Sequence, residues 1–397
     1  MKAVICAAGF GSRLKQDLPK AMVMIDGRRI IDYQLEALKD FDEIHVVVGY
    51  RKNLLMAHLS KHDKVRIIEN DNPELGIRHT MRLIADRFDE RVLILDGDIL
   101  FYDQIKPEKH DYIGVKTPVA DKPIYVNVDK AARATCFQDK ATDHEWACVY
   151  QCNPSKINWD NEYAYQSLNK ALPMKIKEYN LHEIDTDEDL SQAYAWLRKR
   201  SIKTFWIKRA EKGKLLWRDL TDLNLKILKP YLKKDKSLLD LGCGDCKLTN
   251  KVAKSVKSIT AVDIIKRPED TAGNIDYVCQ DIMDFNTESK YDLITLFGVS
   301  NSLDEKEIKT LYERFKTFLA KDGTLIIKHQ CGRERDVIIN KMLDGQKYQA
   351  TYRHYLREEK MLTDAGFKVN VIDPYPESEN LWSDTLFKAF ICTFRKK

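Results

Sequence analysis

The sequence contains no long apolar run, and this absence excludes a protein that spans a membrane by helices. No stretch approaches the roughly 20 consecutive apolar residues that a spanning helix needs. The N-terminal segment MKAVICAAGF carries a single lysine and an apolar core too short for a secretory signal. We therefore expect a cytoplasmic protein without a membrane partner.

A strong excess of either charge is also missing. The net charge is +5 over 397 residues, which indicates no nucleic-acid partner but suits anionic small molecules. Nine cysteines are scattered without a disulfide framework, which is typical of reduced thiols. Cys243 and Cys246 flank a glycine-rich loop, but no second pair of cysteines or histidines follows that could complete a zinc site.

One local pattern occurs twice in the sequence. Residues 2–7 are mostly apolar and lead into AGFGSRL, and residues 237–241 lead into GCGDCKL. Each pattern predicts a buried strand, a glycine loop and the start of a helix. Because the loops are too far apart for one βαβ unit, we predict two α/β domains in series, spanning residues 1–205 and 206–397.

Each domain is predicted to hold a mostly parallel sheet flanked by helices, because apolar strands alternate with amphipathic helices. Residues 110–152 differ, since their short β-rich segments predict a small antiparallel insertion in the first domain. The basic segment 190–236 is predicted to be helical, with its charges on a solvated face. It contains no Gly/Ser-rich linker, so we expect a structured helical connection near residues 205–212.

The first glycine loop has the composition of an anion cradle. Gly9 and Gly11 allow backbone N–H groups to approach a phosphate closely. Arg13 and Lys20 add two positive charges, one as a planar fork and one as a mobile point charge. The set could neutralise a triphosphate, although a Gly-x-Gly turn alone is a weak signal.

Two acidic segments strengthen this interpretation. Asp96 and Asp98 end the hydrophobic strand in ILDGDILF, at the sheet edge where ligands of α/β proteins bind. HEIDTDEDL holds Asp185 and Asp187. Carboxylates from two chain segments are what a magnesium–triphosphate complex needs. The DTDEDL pattern also fits the start of a helix, and both interpretations can hold together.

In this order the motifs resemble the nucleotidyltransferases that activate sugar phosphates and phosphocholine. The resemblance covers roughly residues 1–200, and EIDTDEDL is most similar to the cytidylyltransferases for phosphocholine and 2-aminoethylphosphonate. It implies CTP as co-substrate and Mg²⁺ as cofactor. The implied triphosphate cradle consists of Gly9, Gly11, Ser12 and Arg13. The implied catalytic residues are Arg13, Lys20, Asp98 and Asp185, of which the two aspartates hold the metal.

The resemblance is less informative about the other subsites. It assigns base and ribose to the region of Asn70, Asn72, Gly76 and His79. The β-rich insertion reads AARAT where the family has a Gly-Arg-Val turn, so the acceptor pocket stays open. Five aromatic residues either enclose an alkylammonium head group or only pack against the fold: Tyr125, Trp146, Trp159, Tyr163 and Tyr165.

The reaction implied for this half is an in-line displacement. An acceptor phosphate or phosphonate oxygen attacks the α-phosphorus of the nucleotide, and pyrophosphate leaves. No covalent nucleophile is required, because positioning and charge stabilisation lower the barrier.

The second glycine loop lies among different motifs. LLDLGCGDCKL places Gly242 and Gly244 after a strand, and Lys247 stands where a dinucleotide-binding loop has its third glycine. AVDI adds Asp263 at the end of the next strand, and CQDIMDF adds Asp281 after the third. Together with YDLI in the fourth strand, this combination resembles the class I S-adenosylmethionine-dependent methyltransferases over about 215–397.

This second resemblance implies two Rossmann-like domains and S-adenosylmethionine as methyl donor. Its implied cofactor contacts are Gly242 and Gly244 near the methionine part, Asp240 at the amino group, Asp263 at the ribose hydroxyls, Asp281 at the adenine amine and Phe297 near the methyl group. Candidates on the acceptor side are His329, Tyr352, His354 and Tyr355, although a lone histidine is more often structural.

The predicted function is a bifunctional enzyme that transfers CMP to a small phosphate or phosphonate and methylates the same or a related molecule. A sugar 1-phosphate acceptor with a sugar methyltransferase is an alternative, and so is a non-catalytic binding role for one half. RNA capping pairs the same two reactions, but its Lys-x-Asp-Gly tetrad is absent and the net charge is weak. The base, the methylated atom and the oligomeric state stay open.

Overall fold

Strands and helices alternate along both halves of the chain in the computed structural model, as the apolar pattern predicts. The structure describes residues 1–11, 14, 17–120, 122–215 and 218–394. The chain divides into two units, Met1–Leu197 and Arg198–Lys397, and this division falls inside one helix. The predicted boundary after residue 205 falls in the same helix and stays a prediction. Of the helices described, none combines the length and apolar character needed to cross a membrane.

The described residues of the first unit form thirteen strands, with helices between them. The strands are β1 (Lys2–Ala7), β2 (Met24–Ile25), β3 (Arg28–Arg29), β4 (Glu43–Val48), β5 (Val65–Glu69), β6 (Val92–Asp96), β7 (Ile99–Phe101), β8 (Tyr112–Lys116), β9 (Tyr125–Val128), β10 (Arg133–Gln138), β11 (Glu145–Cys152), β12 (Met174–Glu178) and β13 (Leu181–Glu183). The helices are α1 (Ile30–Ala37), α2 (Lys52–Leu59), α3 (Gly76–Ala85), α4 (Ala164–Leu168) and α5 (Asp187–Glu211), which continues into the second unit.

Nine of these strands form one mixed sheet in the order β5-β4-β1-β6-β11-β8-β12-β10-β9. The strands β5, β4, β1 and β6 are parallel. From β11 onward most pairings are antiparallel, so the strands predicted as an insertion extend the main sheet instead of forming a separate one. Ile5 and Leu95 are buried on one face of the sheet and Val4 and Ile94 on the other, as the two-residue period of a strand requires.

In the second unit, the part of the chain that the structure describes forms nine further strands and four further α-helices. The strands are β14 (Ser237–Leu241), β15 (Ser258–Asp263), β16 (Ile275–Cys279), β17 (Tyr291–Phe297), β18 (Leu319–Gly332), β19 (Val337–Leu343), β20 (Gln346–Tyr352), β21 (Phe367–Ile372) and β22 (Thr385–Phe394). The helices are α6 (Thr221–Leu228), α7 (Lys247–Ala253), α8 (Glu305–Phe318) and α9 (Tyr355–Asp364).

Its sheet has the order β16-β15-β14-β17-β18-β22-β21. The first five strands are parallel, and β22 runs antiparallel to both β18 and β21. An antiparallel pair, β22 and β21, therefore ends an otherwise parallel sheet. Both units are α/β folds with buried strands flanked by helices, which confirms the predicted fold class.

A hairpin of β19 and β20 in the second unit is missing from the sequence-based expectation. Asp344 and Gly345 join its strands with φ of 51° and 75°. Asp-Gly between apolar segments is a strong signal for this kind of turn, so the hairpin was readable from the sequence.

Candidate active sites

An open cleft of about 1090 Å³ in the first unit lies at the carboxyl ends of the parallel strands β1 and β6. Ligands of open α/β sheets bind at this edge. Seven residues were assigned to the triphosphate cradle and to catalysis. Five of them line this cleft, namely Gly9, Gly11, Lys20, Asp98 and Asp185. The other two, Ser12 and Arg13, lie outside the described residues. The roles assigned to all seven stay predictions.

Asp98 and Asp185 meet at one ammonium group although they are far apart in sequence. Lys20 Nζ lies 2.8 Å from Asp98 Oδ2 and also donates to Asp185 Oδ1. The backbone explains why they meet, because β13 pairs antiparallel with β7 and the N–H of Ile184 donates to the carbonyl oxygen of Asp98 at 3.0 Å. The strand pairing therefore delivers both carboxylates to the same point.

Lys20 is held in place by its charge partners and by the glycine loop. Burial would lower the pKa of the Lys20 ammonium, but Asp98 and Asp185 outweigh burial and raise that pKa. Gly11 has a φ of 61°, and a Cβ there would lie 2.8 Å from Lys20 Cγ. A larger residue at position 11 would therefore displace the lysine side chain that bridges the two acids.

The segment after β13 both starts a helix and supplies a site carboxylate. Thr186 Oγ1 accepts a hydrogen bond from Asp189 N at 3.2 Å, and Asp189 Oδ2 accepts one from Thr186 N at 2.8 Å. This reciprocal pair is a capping box at the start of α5. Asp187 is exposed there, whereas Asp185 faces Lys20. Both interpretations of DTDEDL therefore hold, on different residues.

A second charge cluster, which sequence reasoning missed, lies deeper in the cleft. Lys116 Nζ is 3.1 Å from Glu145 Oε1 and 2.9 Å from Glu183 Oε1. Glu145 Oε2 also accepts a hydrogen bond from the backbone N–H of Val119 at 2.8 Å, which fixes a loop of the cleft wall. Nothing in the sequence distinguishes Lys116, at the end of an apolar strand, from an exposed strand terminus.

The charges of the cleft fit a divalent cation. Among the described residues that line it, seven side chains are acidic and three are lysines. Burial raises the pKa of Asp96 well above its usual range, and the nearby Asp98 and Glu183 raise it further. The remaining carboxylates would repel a triphosphate unless a metal ion intervened. Asp98 and Asp185 already converge on one cation, which is the arrangement two metal ligands need.

The residues predicted for base, ribose and head group divide between the cleft and the core. Gly76 lines the cleft, whereas Asn70 is buried and donates from Nδ2 to Thr80 Oγ1 at 3.1 Å. His79 is not among the described residues that line the cleft. The aromatic residues on the cleft wall are Trp146, Tyr163 and Tyr165, with the two tyrosine rings stacked at 5.8 Å. The indole of Trp159 instead donates to the carbonyl oxygen of Pro154 at 2.9 Å in the interior, and Tyr125 is likewise not among the described lining residues.

A cavity of about 310 Å³ in the second unit lies at the carboxyl ends of β14, β15 and β17. All six residues predicted for cofactor binding line it, namely Asp240, Gly242, Gly244, Asp263, Asp281 and Phe297. Strand order explains this meeting, because β15, β14 and β17 are adjacent and parallel. The individual roles of these residues stay predictions.

The glycine loop of this cavity is fitted for a ligand that approaches the backbone closely. Gly242 and Gly244 have φ of 76° and 56°, and a Cβ on Gly242 would overlap Val299 Cγ2. Asp263 Oδ2 accepts the N–H of Gly244 at 2.8 Å, and Oδ1 accepts the N–H of Ile265 at 3.2 Å. The loop and the second-strand acid therefore form one unit, whose free lone pairs suit the hydroxyls of a ribose.

Two of the predicted cofactor acids already have protein partners. Asp240 is buried and accepts hydrogen bonds from Thr249 Oγ1 at 2.6 Å and Thr295 Oγ1 at 2.7 Å. Asp281 Oδ2 lies 2.5 Å from the ammonium of Lys203. Burial alone would raise the pKa of Asp281, but Lys203 and the backbone N–H of Met283 hold that pKa below its usual range. Asp281 is therefore ionised at neutral pH.

Among the acceptor-side candidates, His329 lies on the face of β18 away from the cavity. Lys328 and Gln330 line the cavity, whereas His329 packs against the Phe390 ring at 5.7 Å. Because successive residues of a strand face opposite sides, this position favours the structural role of a lone histidine over that of a base. Tyr352 lines the cavity and shares a 2.6 Å hydrogen bond with Tyr348. Sequence reasoning missed Lys328, because a lysine near a strand end is usually solvated.

Two family models match the chain, one in each half. The model of the MobA-like NTP transferase domain matches residues 3–105. The model of the methyltransferase domain matches residues 209–371.

Individual relatives match parts of the first half. Over 68 residues the chain is 50% identical to the CTP:phosphoglutamine cytidylyltransferase of Campylobacter jejuni, covering 16% of this chain and 27% of that protein. Over 124 residues it is 32% identical to the UTP–glucose-1-phosphate uridylyltransferase AglF of Haloferax volcanii, covering 28% and 50%. The solved CTP:phosphocholine cytidylyltransferase LicC of Streptococcus pneumoniae is 20% identical with a TM-score of 0.44, covering 49% of this chain and 98% of that chain. The chain spans at most half of the length of the curated relatives first matched.

Gly242→Ala should abolish cofactor binding in the second unit, because the new Cβ would overlap Val299 and the positive φ disfavours any side chain. We expect at least about a hundredfold loss of S-adenosylmethionine affinity by calorimetry, since a clash of this kind costs several kcal/mol. Gly273→Ala is the matched control, because no heavy atom lies within 4 Å of its Cβ position. Equal affinity in the two variants would contradict the assigned loop.

His329 should make the second unit sensitive to acid. Burial, reinforced by the charges of Arg353 and Lys328, lowers the pKa of His329 to about 3, against roughly 6.5 in the unfolded chain. The unfolded state therefore takes up the proton first, and the stabilisation that is full above pH of about 6.5 is lost as the pH falls toward 3. We expect the unfolding free energy of the wild type to fall more steeply than that of His329→Gln, by up to about 1.4 kcal/mol per pH unit.

Denaturant titrations at several pH values between 7 and 4 measure this difference. Glu358 has the opposite effect on acid stability, because burial raises its pKa and so favours the folded state as the pH falls. Its Oε1 lies 3.9 Å from His329 Nε2. The slopes of the wild type and of His329→Gln must therefore be compared with each other. His354→Gln, at a partly exposed position, is the control and should keep the wild-type slope. Parallel slopes for the wild type and His329→Gln would show that His329 is not held neutral.

Proposed function

We propose a bifunctional transferase for this chain, which joins a MobA-like NTP transferase domain to a methyltransferase domain. The first domain transfers CMP from CTP to a small phosphate or phosphonate, and the second methylates the same molecule or a close relative. The observation that carries this proposal is the convergence of Asp98 and Asp185 on Lys20, beside the glycine loop of the cleft.

The residues of the cleft divide the work of nucleotidyl transfer. Asp98 and Asp185 would hold Mg²⁺, which when bound offsets the charge of the triphosphate and of the departing pyrophosphate. Lys20 would bind phosphate oxygens as a mobile cation, and the glycine loop would donate backbone N–H groups. The acceptor oxygen needs only alignment with the α-phosphorus, so these residues act by positioning and by charge.

The proposed acceptor carries a cationic head group. One wall of the cleft is aromatic, with the stacked rings of Tyr163 and Tyr165 next to Trp146. The carboxylates of Glu145 and Glu183 lie in the same cleft. Phosphocholine, phosphoethanolamine and 2-aminoethylphosphonate all match this combination. The likeness to a CTP:phosphoglutamine cytidylyltransferase supports CTP as the nucleotide and adds phosphoglutamine to the acceptor candidates.

The second cavity would hold S-adenosylmethionine, which supplies an electrophilic methyl group when bound. Gly242 and Gly244 would lie beside the methionine part with bare backbone, because Val299 and Leu215 leave no space for a Cβ at these positions. Asp263 is oriented by two backbone N–H groups to accept from the ribose. Asp281 is kept ionised and can accept from the adenine amine. Phe297 closes the cavity next to β18.

A sugar 1-phosphate is the second candidate acceptor for the first domain. The likeness to a UTP–glucose-1-phosphate uridylyltransferase favours it. A sugar has no positive charge, so it would gain nothing from a cation–π contact with the aromatic rings of the cleft wall. A panel of acceptors therefore separates the two candidates.

Pyrophosphate release tests the proposal directly. The four nucleoside triphosphates are each combined with Mg²⁺ and with phosphocholine, phosphoethanolamine, 2-aminoethylphosphonate, phosphoglutamine and glucose 1-phosphate. We expect CTP with an amine-bearing phosphate or phosphonate to be the fastest pair. Lys20→Met and Asp98→Asn should each lower its rate by about 10²–10³, the cost of removing one charge-stabilising group.

Lys39→Met is the matched control for the lysine variant. Lys39 is exposed and lies 3.6 Å from Glu36, outside the cleft, so this variant should keep the wild-type rate. Faster release with glucose 1-phosphate would replace the proposed acceptor by a sugar phosphate. Unchanged rates in Lys20→Met and Asp98→Asn would refute the assigned catalytic centre.

A further inference from the structure

We propose that Lys328 binds an anionic phosphate or phosphonate group of the methyl acceptor in the second-unit cavity. The inference rests on the methyl transfer proposed for this unit and names the class of molecule that it methylates. The same anionic group would be the one to which the first unit attaches CMP.

Lys328 is a buried cation without a carboxylate partner in the part of the chain that the structure describes. Its residue is 6% exposed, it lines the cavity, and no described acidic side chain forms an ion pair with its Nζ. Its surroundings are three aromatic rings, with Nζ 5.2 Å from the centroid of Phe297, 5.5 Å from that of Tyr375 and 5.4 Å from that of Phe387. These rings favour the charged form but leave its hydrogen-bond donors unused.

Lys116 of the first unit is a buried lysine whose charge is balanced by carboxylates of the protein, and it serves as a comparison for Lys328. It is also 6% exposed, but its ammonium is flanked by Glu145 and Glu183. Its pKa is raised by these partners despite burial, whereas burial lowers the pKa of Lys328 to about 8. Lys328 is still mostly protonated at neutral pH, so the cavity contains a positive charge that a bound anion would neutralise.

The position of Lys328 in the sheet assigns it to the acceptor and not to the cofactor. The glycine loop follows β14, and β18 is the second strand from β14, with β17 between them. Neighbouring strands are about 4.8 Å apart, so the two strands are separated by roughly 10 Å. Lys328 is the register partner of Phe297, the residue predicted to lie near the transferred methyl group. An anion on Lys328 would therefore lie beyond the methyl group, on the side from which the acceptor enters.

Charge recognition also distinguishes this role from that of a general base. A base would be needed for a charged and an uncharged acceptor alike. An anion anchor discriminates between them, because only the charged acceptor gains from the ammonium. Phosphoethanolamine and ethanolamine differ by this one group and are the matched probes.

Lys328→Met and the control Lys388→Met in the full-length chain test the inference. Lys388 lies on the neighbouring strand β22, but its Nζ pairs with Asp373 at 2.6 Å and does not line the cavity. With the chain saturated by S-adenosylhomocysteine, binding of inorganic phosphate and of phosphoethanolamine is measured by calorimetry. We expect one phosphate site to weaken roughly 10- to 100-fold in Lys328→Met, the value of a charged hydrogen bond, and to persist in Lys388→Met.

Methyl transfer to the two probes and thermal melting complete the test. Lys328→Met should lose much more activity on phosphoethanolamine than on ethanolamine, whereas Lys388→Met should keep the wild-type rates on both. Its melting temperature should equal or exceed that of the wild type, because the substitution removes an unpaired buried charge. Equal loss on both probes, phosphate binding that does not depend on Lys328, or a marked loss of S-adenosylhomocysteine affinity would each overturn the inference. Failure of the wild type to bind S-adenosylhomocysteine at all would instead refute the proposed methyl transfer.

Discussion

Mutual repulsion between Asp98 and Asp185 is the constraint on which the first unit depends. Two carboxylates at one point are unfavourable unless a cation lies between them. The pairing of β13 with β7 fixes both residues at this point. The ammonium of Lys20 lies between their carboxylates and offsets the repulsion. Gly11 in turn leaves room for the lysine stem. Under the proposed function, a divalent ion would take the place of this bridge, and its binding would require movement of one flexible side chain.

The second unit also has a group of acidic residues at the carboxyl edge of its parallel strands, but their charges are balanced differently. Its acids are not left to repel each other, because Asp240, Asp263 and Asp281 are each engaged by hydroxyls, backbone N–H groups or an ammonium. They define polar positions around a cavity whose lining also includes apolar side chains such as Leu248 and Phe297. Among the described residues that line it, Lys328 is a buried cation without a carboxylate partner.

The parts of both sites that follow a strand directly could be predicted from the sequence. Gly242, Asp263 and Asp98 stand at the ends of apolar runs, and parallel strands bring their ends to one edge. What could not be predicted is which face a residue takes inside a strand, because the periodicity of IIKHQ is the same whichever side is the cavity. Lys328 was therefore missed, and His329 was kept as a candidate although it is not among the described residues that line the cavity. The ion pairs of Lys116 with Glu145 and Glu183 depend on the pairing of β8 with β11 and on the position of β13. Local sequence does not encode these long-range contacts.

The charges of the two sites bear on the proposal that both units act on one molecule. The first-unit cleft combines aromatic rings with several carboxylates, so under this proposal it would take a molecule that is positive at one end and phosphorylated at the other. The second cavity has one buried ammonium beside the predicted methyl position, so under the same proposal it would take an anion attached to a nucleophile. A sugar 1-phosphate satisfies only the second requirement, and a simple amine only part of the first. A small zwitterion with an amino group and a phosphate or phosphonate satisfies both, because its amino group can face the aromatic wall in one unit and the methyl donor in the other.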